Sequence, residues 1–318
     1  MERFLIFGDT PIANRLTWYL RHYAEVKNLG MAIRRISLDS ESTIDYVQKA
    51  VWSEQIAGVS GRTELVINAH EESDLSVCAS DPELAWRNNT VHATWIAYAA
   101  LTANIPLVQL STDHVFRGDR GPYGIGGTPN PINMYGTTKW YAEMLTQHLH
   151  PKSTKIEAGV ASSGTTIVRT SELYGYDVDS VPRGLTRLIP GEGTTVETET
   201  SGVIRVSHAM SPSFIGEVAF LIARNILLSP GSLNIPVIHI ASNDPTITWS
   251  AYLHDLGCKV IHSQSGEDKL RGGLERQGTQ RGLIPTEGWY LPTGSPSKSF
   301  NDSLSEYEGK SYIKYWND

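Results

Sequence analysis

The strongest constraint on the fold is a regular alternation of short apolar runs with longer stretches of helical periodicity. Strands that alternate with helices in this way pair in parallel, so the pattern predicts an α/β architecture with a doubly wound parallel sheet. Five strands are predicted in the first half, at Phe4–Phe7, Met31–Ile36, Leu65–Ile67, Leu107–Leu110 and Thr166–Val168. Helices are predicted between them, from Ile12 to a helix end near Gly30, at Ile44–Ile56, at Pro82–Ala103 and at Tyr135–Leu149.

The pattern loosens after residue 171, where Gly, Pro, Ser and Thr become frequent. A helix is predicted at Phe214–Leu227 and a late strand at Val237–Ile240. We therefore expect residues 1–170 to form the main α/β domain. Residues 171–318 are expected to form mainly a smaller lobe, with some segments returning to the core sheet.

Composition narrows the class of protein. A 40% hydrophobic content over 318 residues supplies a core and argues against intrinsic disorder. The net charge of −7 argues against nucleic-acid binding. Two cysteines make no disulfide framework, and no apolar run reaches the roughly 18 residues of a membrane span. A cytoplasmic protein is expected, without membrane association.

The chemistry-bearing residues follow the predicted fourth strand. Ser111 and Thr112 stand at its carboxyl end, where open α/β sheets bind ligands. Tyr135 and Lys139 are four residues apart and so share one helix face. An ammonium group near a phenol favours the phenolate, which prepares the tyrosine to exchange a proton with a carbonyl or alcohol. The Tyr-x-x-x-Lys spacing alone is also common on solvated helix faces, so its position after Thr112 carries the argument.

Several segments together resemble the extended short-chain dehydrogenases/reductases, and among them the dTDP-4-dehydrorhamnose reductase group. That group also includes the regulatory β subunit of methionine adenosyltransferase. The resemblance covers about residues 4–245 and is most specific in the middle third. The matching segments are Val66–Ala69, Asp81–Ala85 with Asn89, Ser111–Gly118, Pro122-Tyr123, Pro129–Lys139 with Glu143, Arg169–Ser171 and Tyr174-Gly175.

The resemblance implies a Rossmann domain that binds NADP(H) or NAD(H) and a lobe that binds a nucleotide-linked sugar. It implies hydride transfer to a keto sugar, with Tyr135 as proton donor, Lys139 on the nicotinamide ribose and Thr112 on the substrate carbonyl. Family members are often dimers, so a homodimer is a further expectation. The implied cofactor-binding residues are Gly8, Thr10, Pro11, Ile12, Arg34, Arg35, Asp39, Ala69, Ser111, Tyr135 and Lys139. The implied substrate-binding residues are Ser111, His114, Ser171 and Arg205.

The glycine-rich loop departs from this family's pattern. The family has G-x-x-G-x-x-G after the first strand, whereas residues 8–14 read Gly-Asp-Thr-Pro-Ile-Ala-Asn and keep only the first glycine. Pro11 lacks an N–H that could bind phosphate, and Asp9 adds a negative charge. Asn14 puts a side chain where the third glycine made room. Normal, weak, shifted or absent dinucleotide binding are all compatible with this loop.

The segment after the third strand also departs from the family, which has small residues there. This chain has His70-Glu71-Glu72-Ser73-Asp74. The three carboxylates either line the cleft, where they would repel a dinucleotide or attract a cation, or point to solvent, which acidic loop residues usually do. The solvated interpretation is the expectation. His70 is either an acid–base group or structural. His114 stands where the family usually has tyrosine. No metal site is predicted.

The end of the second strand bears on cofactor choice. An arginine at that position accommodates the 2′-phosphate of NADP. Strand alternation turns Arg34 and Arg35 to opposite faces, so one of them is expected to serve. Two solvated arginines explain the sequence equally well. The predicted function is an NADP(H)-dependent reductase of a nucleotide-linked keto sugar or a related small carbonyl compound. The alternatives are a non-catalytic regulatory or binding protein and a non-redox enzyme that reuses the Tyr–Lys pair with weak or absent dinucleotide binding.

Overall fold

A computed structural model of the chain describes twelve segments. These are residues 3–56, 63–153, 161–171, 173–176, 182–184, 195–197, 209–210, 213–241, 247–248, 259–261, 282–287 and 289. Within this part of the chain, none of the helices combines the length and the apolar character that a membrane crossing requires.

Thirteen strands and seven α-helices are described. The strands are β1 Arg3–Phe7, β2 Ala32–Ile36, β3 Thr63–Asn68, β4 Leu107–Thr112, β5 Thr165–Thr170, β6 Leu173–Tyr176, β7 Pro182–Gly184, β8 Thr195–Glu197, β9 Ala209–Met210, β10 Ser213–Phe214, β11 Val237–Ile240, β12 Ile247–Thr248 and β13 Lys259–Ile261. The helices are α1 Pro11–Val26, α2 Ile44–Ile56, α3 Leu75–Ser80, α4 Pro82–Trp86, α5 His92–Ala103, α6 Met134–Leu149 and α7 Ile215–Leu228.

The main sheet has six strands in the order β11-β5-β4-β3-β1-β2, and every neighbouring pair is parallel. This confirms the predicted α/β doubly wound sheet. The described short strands form three smaller groups, β10-β6-β7, β12-β9 and β13-β8. The strand order reverses between β1 and β3, and a crevice at the carboxyl ends of the strands is expected at such a point.

Two apolar layers hold the helices on the sheet. In β1, Phe4 and Ile6 pack in the layer shared with α1 and α7. Leu5 and Phe7, which point to the opposite face, pack in the layer shared with α2 and α5. This alternation follows from the two-residue period of a strand and explains why β1 is apolar throughout, because both of its faces are covered.

Most strand and helix boundaries shift by one or two residues from the sequence prediction, and three features of the helices differ more clearly. Helix α1 ends at Val26, and Asn28 adopts a positive φ of 50°, so the chain turns before Gly30. Asparagine tolerates this left-handed conformation better than most residues. A short helix, α3, lies where only a polar turn was expected. The long helix predicted at Pro82–Ala103 is interrupted by a π-helical turn at Arg87–Val91.

Candidate active site

The candidate site lies at the carboxyl edge of the sheet, where the strand order reverses. Gly8 follows β1, Ala69 follows β3, and Ser111 and Thr112 end β4. Helix α6 brings Tyr135 and Lys139 to the same edge, because it packs against β4 and the turn that follows β4. The topology therefore gathers most of the predicted residues in one crevice.

The start of α6 is held tightly against the segment after β4. Asn133 caps the helix by accepting a hydrogen bond from the Gly136 backbone N–H at 2.7 Å, and its amide nitrogen lies 3.0 Å from His114 Nδ1. A Cβ at Gly136 would lie 2.1 Å from the His114 carbonyl oxygen, so only glycine fits. The close approach orients Tyr135, whose ring meets the His114 ring edge to face at 5.4 Å.

Tyr135 and Lys139 converge on a single oxygen atom, Oε2 of Glu71. The phenol donates to it at 3.0 Å, and the Lys139 ammonium donates to it at 2.8 Å. Lys139 also donates to the Leu110 carbonyl at 2.9 Å. The Lys139 side chain is only 2% exposed and that of Glu71 is 19% exposed. The Tyr135 phenol and the Lys139 ammonium thus bind an oxygen at one shared position.

This arrangement corrects the expectation of solvation for one residue of the acidic run after β3, Glu71, whereas Asp74 is exposed as expected. Glu71 faces the crevice and pairs with Lys139. Glu72 accepts a hydrogen bond from the Asp74 backbone N–H at 2.9 Å. Asp74 caps α3, which the sequence reasoning missed, by accepting from the N–H groups of its first turn. The three carboxylates therefore have three different partners, and of the three only Glu71 binds side chains of α6, whereas Asp74 is exposed.

The π-helical turn between α4 and α5 fixes the loop that carries Glu71. Asn89 accepts from the Glu72 backbone N–H at 2.8 Å and donates to the Glu72 carbonyl at 3.0 Å and to Thr138 Oγ1 at 2.9 Å. Thr90 donates to the Thr138 carbonyl at 2.8 Å. Such turns are frequent at functional sites. The helical periodicity predicted an unbroken helix and gave no sign of it.

The loop after β1 makes a sharp turn at Gly8, and its residue Thr10 then caps α1. Gly8 has a φ of +114°, and a Cβ there would lie 2.7 Å from the His70 backbone. Thr10 Oγ1 accepts from the Ala13 N–H at 3.4 Å and donates to the Ala69 carbonyl at 2.8 Å. Pro11 has no N–H, and the next residue, Ile12, is buried in the first turn. Few N–H groups at this helix end are left for an anion.

Arg35, and not Arg34, is the arginine that reaches the start of α1. Its guanidinium pairs with Asp9 Oδ1 at 3.2 Å and donates to the Asn14 side-chain oxygen. Both arginine side chains are exposed on β2. Asp39, predicted near the adenine, accepts from Ser42 Oγ and from the Glu41 N–H; the Ser42 hydrogen bond lowers the pKa of its carboxyl group. Asp9 and Asn14, two unusual residues of this loop, thus share one cation.

A dinucleotide can be tested against these groups. The turn at Gly8 and the Arg35 guanidinium fit an anionic portion. Lys139 fits a sugar hydroxyl only when the Glu71 carboxylate turns aside, since both ligands would use the same ammonium. Glu71 is partly exposed and its side chain has several rotatable bonds, so this change needs no backbone movement. The crevice fits the cofactor on that condition.

The remaining predicted residues are held by neighbours within the fold. Ser111 Oγ donates to Glu143 Oε1 at 2.5 Å, toward α6. Thr112 Oγ1 accepts from the His114 backbone N–H at 3.2 Å. Ser171 Oγ donates to Asp113 Oδ2 at 2.5 Å. Arg205 lies outside the described residues.

His70 lies beside the turn at Gly8 and pairs with a second histidine. His70 Nε2 is 3.0 Å from His92 Nδ1, so one ring nitrogen donates and the other accepts. Burial lowers the pKa of His70. Burial, together with repulsion from a protonated His70, lowers the pKa of His92 to about 4. The pair therefore carries no net charge near neutral pH. Among the described residues, no group of three or more His, Cys, Asp or Glu side chains is placed to hold a metal ion.

Comparisons with known proteins agree with this architecture. The family model described as the RmlD substrate binding domain matches residues 3–197. A dTDP-4-dehydrorhamnose reductase of Escherichia coli K12 is 30% identical over 93% of this chain and 87% of its own length. A probable low-salt glycan biosynthesis reductase of Haloferax volcanii is 26% identical over 61% of this chain and 65% of its own length. The Bacillus anthracis dTDP-4-dehydrorhamnose reductase, solved with NADP, superposes with a TM-score of 0.70 at 20% identity over 96% of this chain and 99% of that one.

Proposed function

Because this chain belongs to the RmlD substrate binding domain family, we propose that it is an oxidoreductase that reduces a keto group of a nucleotide-linked sugar with NADP(H). Its Escherichia coli K12 relative is named a dTDP-4-dehydrorhamnose reductase, and its Haloferax volcanii relative is named a probable reductase of glycan biosynthesis. NAD(H) is the alternative cofactor, since a more distant structural neighbour, MoeE5, is solved with UDP-glucuronic acid and NAD.

The observation that carries the proposal is the convergence of Tyr135 and Lys139 on one oxygen. The shared partner places the ammonium group close enough to the phenol to stabilise the phenolate that forms when Tyr135 gives its proton to a carbonyl oxygen during reduction. The ammonium is nearly buried, and its field is therefore weakly screened by water.

In this proposal NADP(H), when bound, supplies the hydride, and the protein supplies the proton and the orientation. Tyr135 Oη gives its proton to the substrate oxygen as the alkoxide forms. Lys139 compensates the charge left on the phenolate and would hold the cofactor ribose. Thr112 Oγ1 accepts a backbone hydrogen bond and so keeps its own proton for the substrate oxygen. The turn at Gly8 would hold the pyrophosphate, and Arg35 would hold the 2′-phosphate of NADP(H).

Replacing the tyrosine tests the proton donor. Tyr135→Phe is expected to lower kcat about 100- to 10,000-fold, because a positioned general acid contributes roughly that much. Binding of NADPH, measured by calorimetry, should stay within a few fold of wild type. Tyr98→Phe is the matched control, since Tyr98 is 40% exposed on α5. Turnover of a nucleotide-linked keto sugar by Tyr135→Phe at the wild-type rate would remove Tyr135 from the mechanism.

A second candidate is a non-redox enzyme or a regulatory protein on the same fold. The ion pair between Glu71 and Lys139 favours it, because a carboxylate already uses the ammonium that the cofactor ribose needs. Another relative, named methionine adenosyltransferase 2 subunit beta, is 29% identical over 38% of this chain and 32% of its own length. Titration with NADPH and then NADH separates the two candidates: the reductase requires binding of one of them, and this second candidate predicts neither.

A further inference from the structure

We infer that Glu71 is a resident competitor for the cofactor: its carboxylate occupies the oxygen position on Lys139 and Tyr135, and a dinucleotide must displace it in order to bind. This inference rests on the proposed function and adds a residue that sets the affinity of the site. It concerns one atom, Oε2, to which the phenol donates at 3.0 Å and the ammonium at 2.8 Å.

Glu71 is held in place by two sets of contacts, one to the backbone of its loop and one to its carboxylate. Asn89 binds both backbone polar groups of the neighbouring Glu72, which anchors the loop on α6. Lys139 is 2% exposed, and a buried ammonium is costly without an anionic partner. The carboxylate of Glu71 supplies that partner in the absence of ligand.

The same geometry allows the carboxylate to leave. Its anchor is the backbone of the loop and not the carboxylate itself, so rotation of the side chain breaks no backbone hydrogen bond. At 19% exposure the side chain already touches solvent. Lys139 keeps its bond to the Leu110 carbonyl throughout. An incoming sugar hydroxyl replaces a charged partner of the buried ammonium with a neutral one. This exchange weakens binding of a dinucleotide.

Removing the charge of Glu71 should therefore tighten binding while it weakens the folded state. We expect Glu71→Gln to lower the Kd for NADPH at least tenfold in calorimetric titration. The same substitution should lower the Tm in the absence of ligand, because the buried ammonium loses its counter-ion. A lower Tm together with a higher affinity for NADPH would indicate competition, since the loss of a merely structural residue would lower both the Tm and the affinity.

Glu72→Gln is the matched control. It removes an equal charge from the next residue, whose carboxylate accepts a hydrogen bond from the Asp74 N–H. We expect its Kd for NADPH to stay within about twofold of wild type. An equal gain in affinity for NADPH in both variants would overturn the inference, because the gain would then come from the loss of one negative charge anywhere in this loop.

The remaining outcomes separate the inference from the proposed function. Equal NADPH affinity in wild type and Glu71→Gln would overturn the competition alone and leave the reductase standing. Absence of NADPH and NADH binding in both proteins, with folding verified by a cooperative thermal transition, would refute the reductase and the competition together.

Discussion

Glu143→Gln is expected to destabilise the protein strongly, because Glu143 neutralises a buried arginine behind the candidate site. Its carboxylate accepts from Ser111 Oγ at 2.5 Å, from Arg169 Nε at 2.9 Å and from Arg169 Nη2 at 2.6 Å. Both side chains of the ion pair are 5% exposed. The pair ties α6 to β5, and Ser111 ties it to β4, so the substitution loosens the edge that positions Tyr135 and Lys139.

The size of the effect follows from the burial of Arg169. Glutamine keeps the volume and part of the hydrogen bonding but leaves the guanidinium without a counter-charge. The guanidinium of Arg169 also contacts the Phe116 ring at 5.0 Å and His239 Nε2 at 3.3 Å, and neither group is anionic. Breaking a buried pair in this way costs about 3–5 kcal/mol. At about 2.1 cal/mol/K of unfolding entropy per residue, that loss lowers the Tm by about 4–7 °C for a chain of 318 residues.

The assay is urea unfolding followed by circular dichroism, with thermal unfolding as a second measurement. Ser111→Ala is the matched control, since it removes one hydrogen bond to the carboxylate and keeps the ion pair, at a cost of about 1.5–3 kcal/mol. Replacing both Glu143 and Arg169 with methionine should be far less damaging than Glu143→Gln alone, because no charge is then left buried. A loss below 1 kcal/mol in Glu143→Gln would refute the reasoning.

Two further predictions concern pH and cofactor choice. Burial lowers the pKa of His150 from 6.5 to about 4, so the unfolded chain binds a proton there before the folded one does. The folded state therefore loses stability as the pH falls from 6.5 to 4. The free energy of unfolding should be lower at pH 5 than at pH 7, and His150 should account for about 2 kcal/mol of that difference. The variant His150→Gln should lack this contribution. Arg35→Ala should weaken NADPH binding about tenfold relative to NADH, as expected for loss of one charge-assisted contact, whereas Arg34→Ala should not change the ratio. Equal effects of the two arginine variants in calorimetry would contradict the geometry at Asp9 and Asn14.

The periodicity of the chain predicted the sheet, and its motifs predicted the family. Strands and helices alternate with clear two- and 3.6-residue periods, and local periodicity of this kind reports which faces are buried. The pattern also predicted that Thr112, Tyr135 and Lys139 belong to one edge, because the carboxyl ends of parallel strands meet there. The resemblance to the dTDP-4-dehydrorhamnose reductase group is confirmed by the family match over residues 3–197.

The contacts of the unusual residues, in contrast, are established by the folded protein and could not be predicted from the sequence. The acidic run was expected in solvent, yet Glu71 points into the crevice, because Asn89 in the π-helical turn binds the next residue and holds the loop on α6. The sequence left Arg34 and Arg35 equivalent, and the fold placed Arg35 beside α1. These contacts join residues far apart in the chain, and no local period encodes them; they exist only once the strands and helices have packed.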